Sequence, residues 1–117
     1  MEFFDRTGTA VCHSPDGEHL YLWAGKPVAY IQDGRVYSFS GRLLGWFENG
    51  WLYDRANCPA LFLPEAEGGP IKPVRKVKPV KGVRQVRPVK GVRQVTPVRP
   101  TRSLTWSSCA SSAYFAQ

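Results

Sequence analysis

Acidic residues are missing from residues 70–117, and few residues anywhere suit metal or redox chemistry. The three cysteines, Cys12, Cys58 and Cys109, are odd in number, far apart and without a CxxC pair. That spacing argues against a disulfide framework or a zinc site, so no metal is expected. No run approaches the ~18 apolar residues of a membrane span, and residues 1–20 lack an apolar stretch behind a basic start. A cytoplasmic protein without a membrane association is the expectation. No window carries a helical stripe of apolar residues, and there is no paired-acid motif, GxGxxG, P-loop or GxSxG. An enzyme is therefore not expected, and neither is a cofactor.

What is present is periodic. Residues 70–105 read in threes without a break. One position is apolar: Ile71, then every third residue from Val74 to Val98, then Thr101 and Leu104. The next is basic in ten of the twelve triplets, failing at Thr96 and Thr105. The last takes proline, glycine, glutamine, lysine or serine. Helices and strands repeat every 3.6 and 2 residues, whereas polyproline II repeats every three. The spaced prolines favour that conformation.

Residues 1–69 hold a second repeat. Phe4, Tyr21, Tyr37 and Tyr53 open four units, and four residues later stand Gly8, Gly25, Gly41 and Asn57, residues that accept positive φ. An apolar run follows in each. Asp16-Gly17, Asp33-Gly34 and Asn49-Gly50 then mark tight hairpin turns; the fourth unit has Glu65-Ala66 instead. Two turns in about sixteen residues leave strands of three to six, rich in β-branched and aromatic residues. The pattern predicts four consecutive β-hairpin units in pseudo-four-fold arrangement, with an irregular meander as the alternative.

The three segments expected are a four-hairpin β body over 1–69, a Pro/Val/basic tail over 70–105, and 106–117 as a last strand or frayed end. Residues 1–69 carry five basic and nine acidic groups, against eleven basic groups in the tail. The body is near the lower size limit for independent stability. At ~3.1 Å per residue the tail could circle it about once. The tail also repeats every nine residues, as PIKPVRKVK, PVKGVRQVR, PVKGVRQVT and PVRPTRSLT. Four nonapeptides matching four hairpins predict one copy per unit, with valines buried on the body and Lys/Arg outward or facing its acids. Duplication without structural meaning, and a tail swapped onto a neighbour, are the alternatives.

The phrases FDRTGTAV, SPDGEHLYLW, GWFENGW and KPVRKVKPVKGVRQV resemble a family of small bacterial proteins with a four-fold β-flower domain. The resemblance covers most of the chain and implies a fold of four β petals. It brings no catalytic residue, ligand or activity.

Three groupings have the residue types for chemistry. Cys12-His13 is a poor nucleophile–base pair, because neighbours on a strand face opposite ways; the expectation is a core cysteine beside a surface histidine. Asp5-Arg6 and Asp54-Arg55 are expected to be edge ion pairs where the ring closes, rather than an anion clamp. Tyr21, Trp23, Phe39, Trp46 and Trp51 form a candidate aromatic platform for bases or proline-rich chains. The candidate anion-binding residues are Lys72, Arg75, Lys78, Lys81, Arg84, Arg87, Lys90, Arg93, Arg99 and Arg102. A non-catalytic structural or protein-interaction module is the favoured function, with a protein or a second copy as partner. Nucleic-acid or other polyanion binding through the basic tail is the alternative.

Overall fold

Short strands and tight turns alternate through the body because its punctuation is so closely spaced. The computed structural model describes residues 1–117. It contains eight strands: β1 (Glu2–Phe4), β2 (Ala10–His13), β3 (His19–Leu22), β4 (Pro27–Gln32), β5 (Arg35–Tyr37), β6 (Leu43–Glu48), β7 (Trp51–Tyr53) and β8 (Pro59–Phe62). Each pairs antiparallel with its neighbour, and β8 pairs with β1, so the sheet closes into a barrel. Closure leaves no free edge.

The repeat read from the sequence recurs in backbone geometry. Gly8, Gly25, Gly41 and Asn57 all have positive φ, and Asp33-Gly34 and Asn49-Gly50 have it at both residues, as a type I′ turn requires. The ladder shifts register at one equivalent place per unit, between Phe3/Phe4, Leu20/Tyr21, Val36/Tyr37 and Leu52/Tyr53. Such irregularities bend a strand, which lets three- and four-residue strands turn the corner into a narrow barrel.

Alternation then sorts the side chains. Phe3, Cys12, Leu20, Ala29, Val36, Leu44, Leu52 and Leu61 fill the interior. Their neighbours face outward as cross-strand pairs, Phe4/Phe62, His13/Tyr21, Tyr30/Tyr37 and Trp46/Tyr53. One aromatic-lined pair thus stands on the outer wall of each quarter, where paired rings stabilise adjoining strands.

Residues 106–117 form neither a strand nor a loose end. Ser111 caps a 3-10 helix over Ser112–Ala116. Tyr114 is fully buried with the barrel core, and its hydroxyl donates to the Tyr53 carbonyl at 2.9 Å. A Cβ on Gly45 would collide with the Tyr53 carbonyl oxygen and crowd the Tyr114 hydroxyl, so glycine there makes room for the plug. Gln117 secures it, donating to Leu44 and accepting from the Arg55 amide. A frayed end was expected from the Ser/Ala-rich composition, which carries no trace of the single tyrosine's destination.

Candidate interaction surface

Antiparallel order places the turns at 5–9, 23–26, 38–42 and 54–58 at one end of the barrel, here the near end. The Asp-Gly and Asn-Gly turns lie at the far end. The tail crosses the four near-end turns in succession. Lys76, Gln85, Gln94 and Ser103, spaced by nine, donate their amides to the carbonyls of Gly8, Gly25, Gly41 and Asn57. In the middle two quarters Gly82 and Gly91 add bonds to Trp23 and Phe39. In the first and last quarters proline stands at those positions, Pro73 and Pro100, and Asn57 donates to the Pro100 carbonyl instead. Each nonapeptide therefore engages one quarter of the barrel.

The approach is backbone on backbone. A Cβ on Gly8, Gly25 or Gly41 would overlap the carbonyl of Val74, Val83 or Val92, again spaced by nine. On Gly82 or Gly91 it would strike Ala24 or Ser40. This contact is made by the backbone of the tail and not by its valine side chains, which overturns one expectation. Ile71 and the valines from Val74 to Val98 are not buried but 89–97% exposed. A valine turned inward would hold the tail off the corners and break their hydrogen bonds.

The basic row faces inward instead, along the aromatic wall. Arg75 lies over Phe4, Arg84 over Tyr21, Lys90 over Tyr30 and Arg93 over Tyr37. Lys81 covers Trp23, and Arg99 covers Trp46 and Tyr53. A cation over a partly desolvated ring contributes about 0.5–2 kcal/mol. Five of the basic residues reach toward the far end: Lys78 and Lys81 to Glu2, Arg99 and Arg102 to Glu48, and Lys72 to the carbonyls of Pro64 and Ala66. Arg87 donates to the Tyr21 hydroxyl. All ten candidate anion-binding residues thus have a partner on the body.

The candidate platform is covered as well. Tyr21, Trp23, Phe39, Trp46 and Trp51 are all buried, and the Trp23 indole donates to the Pro79 carbonyl. Trp51 is covered by Phe62, Trp106 and Gly69 rather than by the tail.

Cys12 is a core residue, and burial pushes its thiol far above the ordinary range. His13, expected at the surface, is buried on the outer wall between Tyr21 and Trp23. It takes the place that Tyr30, Trp46 and Phe62 hold in other quarters. Its Nε2 has no partner, and burial, followed by Lys81 and Arg84, lowers its pKa. Asp5 and Asp54 do not pair with Arg6 and Arg55. Their carboxylates accept the amides of Thr7 and Thr9, and of Ala56 and Cys58, clamping the first and last near-end turns. Asp54 also accepts from the buried Ser107 hydroxyl, which ties the C-terminal plug to the same turn. Sequence spacing could have revealed this role, since an aspartate two and four residues before such amides is a turn cap.

Asp16, Glu18 and His19 offer ligand atoms within 4.8 Å of one another at the far end. Asp16 accepts the amides of Glu18 and His19 and meets His19 Nδ1 at 2.7 Å. These turn bonds account for the cluster without a ligand. The clefts along the tail are open, and neither His13 nor His19 lines any of them.

The ion pairs make the tail's anchorage sensitive to acid. Hydrogen bonds from Lys78, then Lys81, hold the Glu2 carboxyl down at about 2, from 4.5. Stability from this clamp is present above pH 4.5 and lost as the pH falls toward 2. His13 works in the same direction by another route. Its depressed pKa means the unfolded chain binds the proton first, so stability falls as the pH drops below 6.5. In thermal melts, the difference between wild type and Glu2→Gln is expected to vanish between pH 4.5 and 2. His13→Phe is expected to flatten the earlier decline below pH 6.5.

Barrel, plug and tail together define a class: a closed, pseudo-four-fold antiparallel barrel girdled by its own C-terminal extension. The chain matches the family described as 4-fold beta flower protein over residues 1–115, and it belongs to that family. No curated protein and no solved structure matches it. No helix is long and apolar enough to cross a membrane.

Proposed function

We propose that this chain is a non-catalytic protein-interaction module, acting in the cytoplasm, whose polyproline II-like tail belongs to the same domain as the barrel and displays the contact surface. The observation carrying this reading is the division of labour within the triplets. Cations that would serve a polyanion lie against rings and carboxylates of the body. The apolar row, which such an arm would not need, faces water. Exposed apolar surface of this extent marks an interaction site. The three free cysteines agree with a reducing compartment.

Anisotropy titrations with labelled single-stranded DNA, duplex DNA and RNA at 50 mM salt test the reading. Dissociation constants weaker than about 100 µM are expected, as for a protein whose cations are already engaged. Micromolar binding that weakens steeply with salt would instead assign the tail to a polyanion.

A further inference from the structure

We propose that residues 83–93 of the tail dock an extended acidic segment of a partner protein, with its carboxylates on Arg84, Arg87, Lys90 and Arg93 and its apolar side chains on the valines that alternate with them. The assignment rests on the reading of the tail as a protein-interaction surface and names the chemistry of the partner.

The outer quarters show how the tail holds a carboxylate. Glu2 gives one oxygen to Lys78 at 2.8 Å and the other to Lys81 at 2.7 Å. Glu48 does the same with Arg99 at 2.6 Å and Arg102 at 3.1 Å. In both, one glutamate bridges the cations of successive triplets. Residues 83–93 carry two more pairs of that spacing, Arg84 with Arg87 and Lys90 with Arg93, and neither forms an ion pair. Arg84 lies over the Tyr21 ring, Lys90 over Tyr30, and Arg87 donates to the Tyr21 hydroxyl. Arg93 donates to the Gln32 side-chain oxygen at 2.8 Å. Gln32 closes β4 as Glu48 closes β6, and Arg93 stands one nonapeptide before Arg102. An amide thus holds the place that a carboxylate holds one quarter on. Asp16 and Glu18, beside the start of β3, turn to His19 at 2.7 and 3.5 Å. The four cations keep their full charge, and all four are exposed.

The basic row is not basic by default. β1 opens on Glu2, whose tail partner is Lys78. β5 opens on Arg35, and two nonapeptides after Lys78 the tail has Thr96, beside the Tyr37 hydroxyl. Elsewhere the charges of the tail therefore follow those of the body, whereas the cations at 84–93 answer to none within the chain. Their complement lies outside it.

Two features select an acidic peptide as that complement. The first is alternation: Val83, Val86, Val89 and Val92 each precede one of the cations and are 90–95% exposed. Exposed ion pairs contribute little each, so much of the affinity has to come from covering these valines. A peptide carries apolar side chains that can do so, and a phosphate backbone does not. The second is curvature. The tail circles a molecule 37 × 37 × 21 Å across, so its outer face is convex. A flat membrane or globular face meets such a rim over a short stretch, while a single extended chain follows it. Three residues of polyproline II rise ~9 Å, so carboxylates at every third position of a similarly extended partner match the triplets.

Fluorescence anisotropy of the full chain with a labelled peptide of four Glu-Val-Pro repeats, at 50 mM salt, tests the proposal. A dissociation constant of about 10–100 µM is expected, weakening about fivefold by 500 mM salt as screening shortens. The same peptide with glutamine for glutamate is expected to bind at least tenfold more weakly. Arg87→Gln with Arg93→Gln leaves the corner bonds of Gln85 and Gln94 in place. That variant is expected to keep the wild-type circular dichroism and to weaken binding about tenfold. Arg102→Gln removes a cation already paired with Glu48 and is expected to change binding less than twofold. Gln32→Glu is expected to weaken it about fivefold, because the chain then supplies its own carboxylate to Arg93. No binding of the glutamate peptide at 1 mM, or equal losses in Arg102→Gln and the double variant, would overturn the proposal. If such a protein also ignores DNA and RNA, the acidic partner falls and the protein-interaction reading stands. Binding of DNA and RNA with steep salt dependence removes both.

Discussion

Tyr114→Ala is expected to destabilise the protein by about 3–5 kcal/mol, the range for emptying a large aromatic site in a closed core. The ring sits inside the barrel among Phe3, Cys12, Leu20 and Leu52, and its neighbours belong to a closed sheet that cannot collapse inward. Its hydroxyl is also the donor to Tyr53. Tyr114→Phe separates the two contributions. It keeps the ring and loses one buried hydrogen bond, so about 1 kcal/mol is expected. Urea unfolding followed by tryptophan fluorescence measures both. A Tyr114→Ala variant within 1 kcal/mol of wild type would mean that the C-terminal turn does not occupy the barrel.

Gly82→Ala combined with Gly91→Ala is expected to free the tail over the middle two quarters. Each added methyl would overlap a near-end carbonyl, that of Ala24 or Ser40, and each loses a bond to Trp23 or Phe39. Overpacking costs about 1–3 kcal/mol per site, and a lost hydrogen bond about 1 more. The tail buries none of its valines on the barrel, so the strain is expected to appear as release rather than global unfolding. Limited trypsinolysis reads this directly. Native wild type is expected to resist cutting after Lys81, Arg84, Lys90 and Arg93, and the double variant to be cut there rapidly. Rapid cutting of wild type at all of these sites would sink the docked tail altogether.

Strand number, the four-fold repeat and the tight turns at Asp33-Gly34 and Asn49-Gly50 were legible because turn chemistry is local, whereas Asp16-Gly17, with positive φ at Gly17 alone, lies in a longer connection between His13 and His19. Asp33-Gly34 and Asn49-Gly50 demand positive φ wherever they stand, and the strands between them have room for only three to six residues. The match between four nonapeptides and four hairpins was also legible, since equal counts of repeats are a property of the sequence. Which row of the triplet faced the body was not. Valine is the usual residue to bury, and burying it was the expectation. The decision came from the close approach at Gly8, Gly25 and Gly41, which leaves space for backbone and none for a branched side chain. Likewise His13 looked like a surface residue until the tail was laid over it.

The sequence by itself determined that this chain is all-β, built of four like units, and followed by an apolar and basic extension of period three. Those properties depend on residues within a few positions of one another. Only the tertiary structure decided that the ring of strands closes, that Tyr114 enters it, and that the cations turn in while the valines turn out. Each is a contact between segments tens of residues apart, settled by the shape of the wall and by how near two backbones can come.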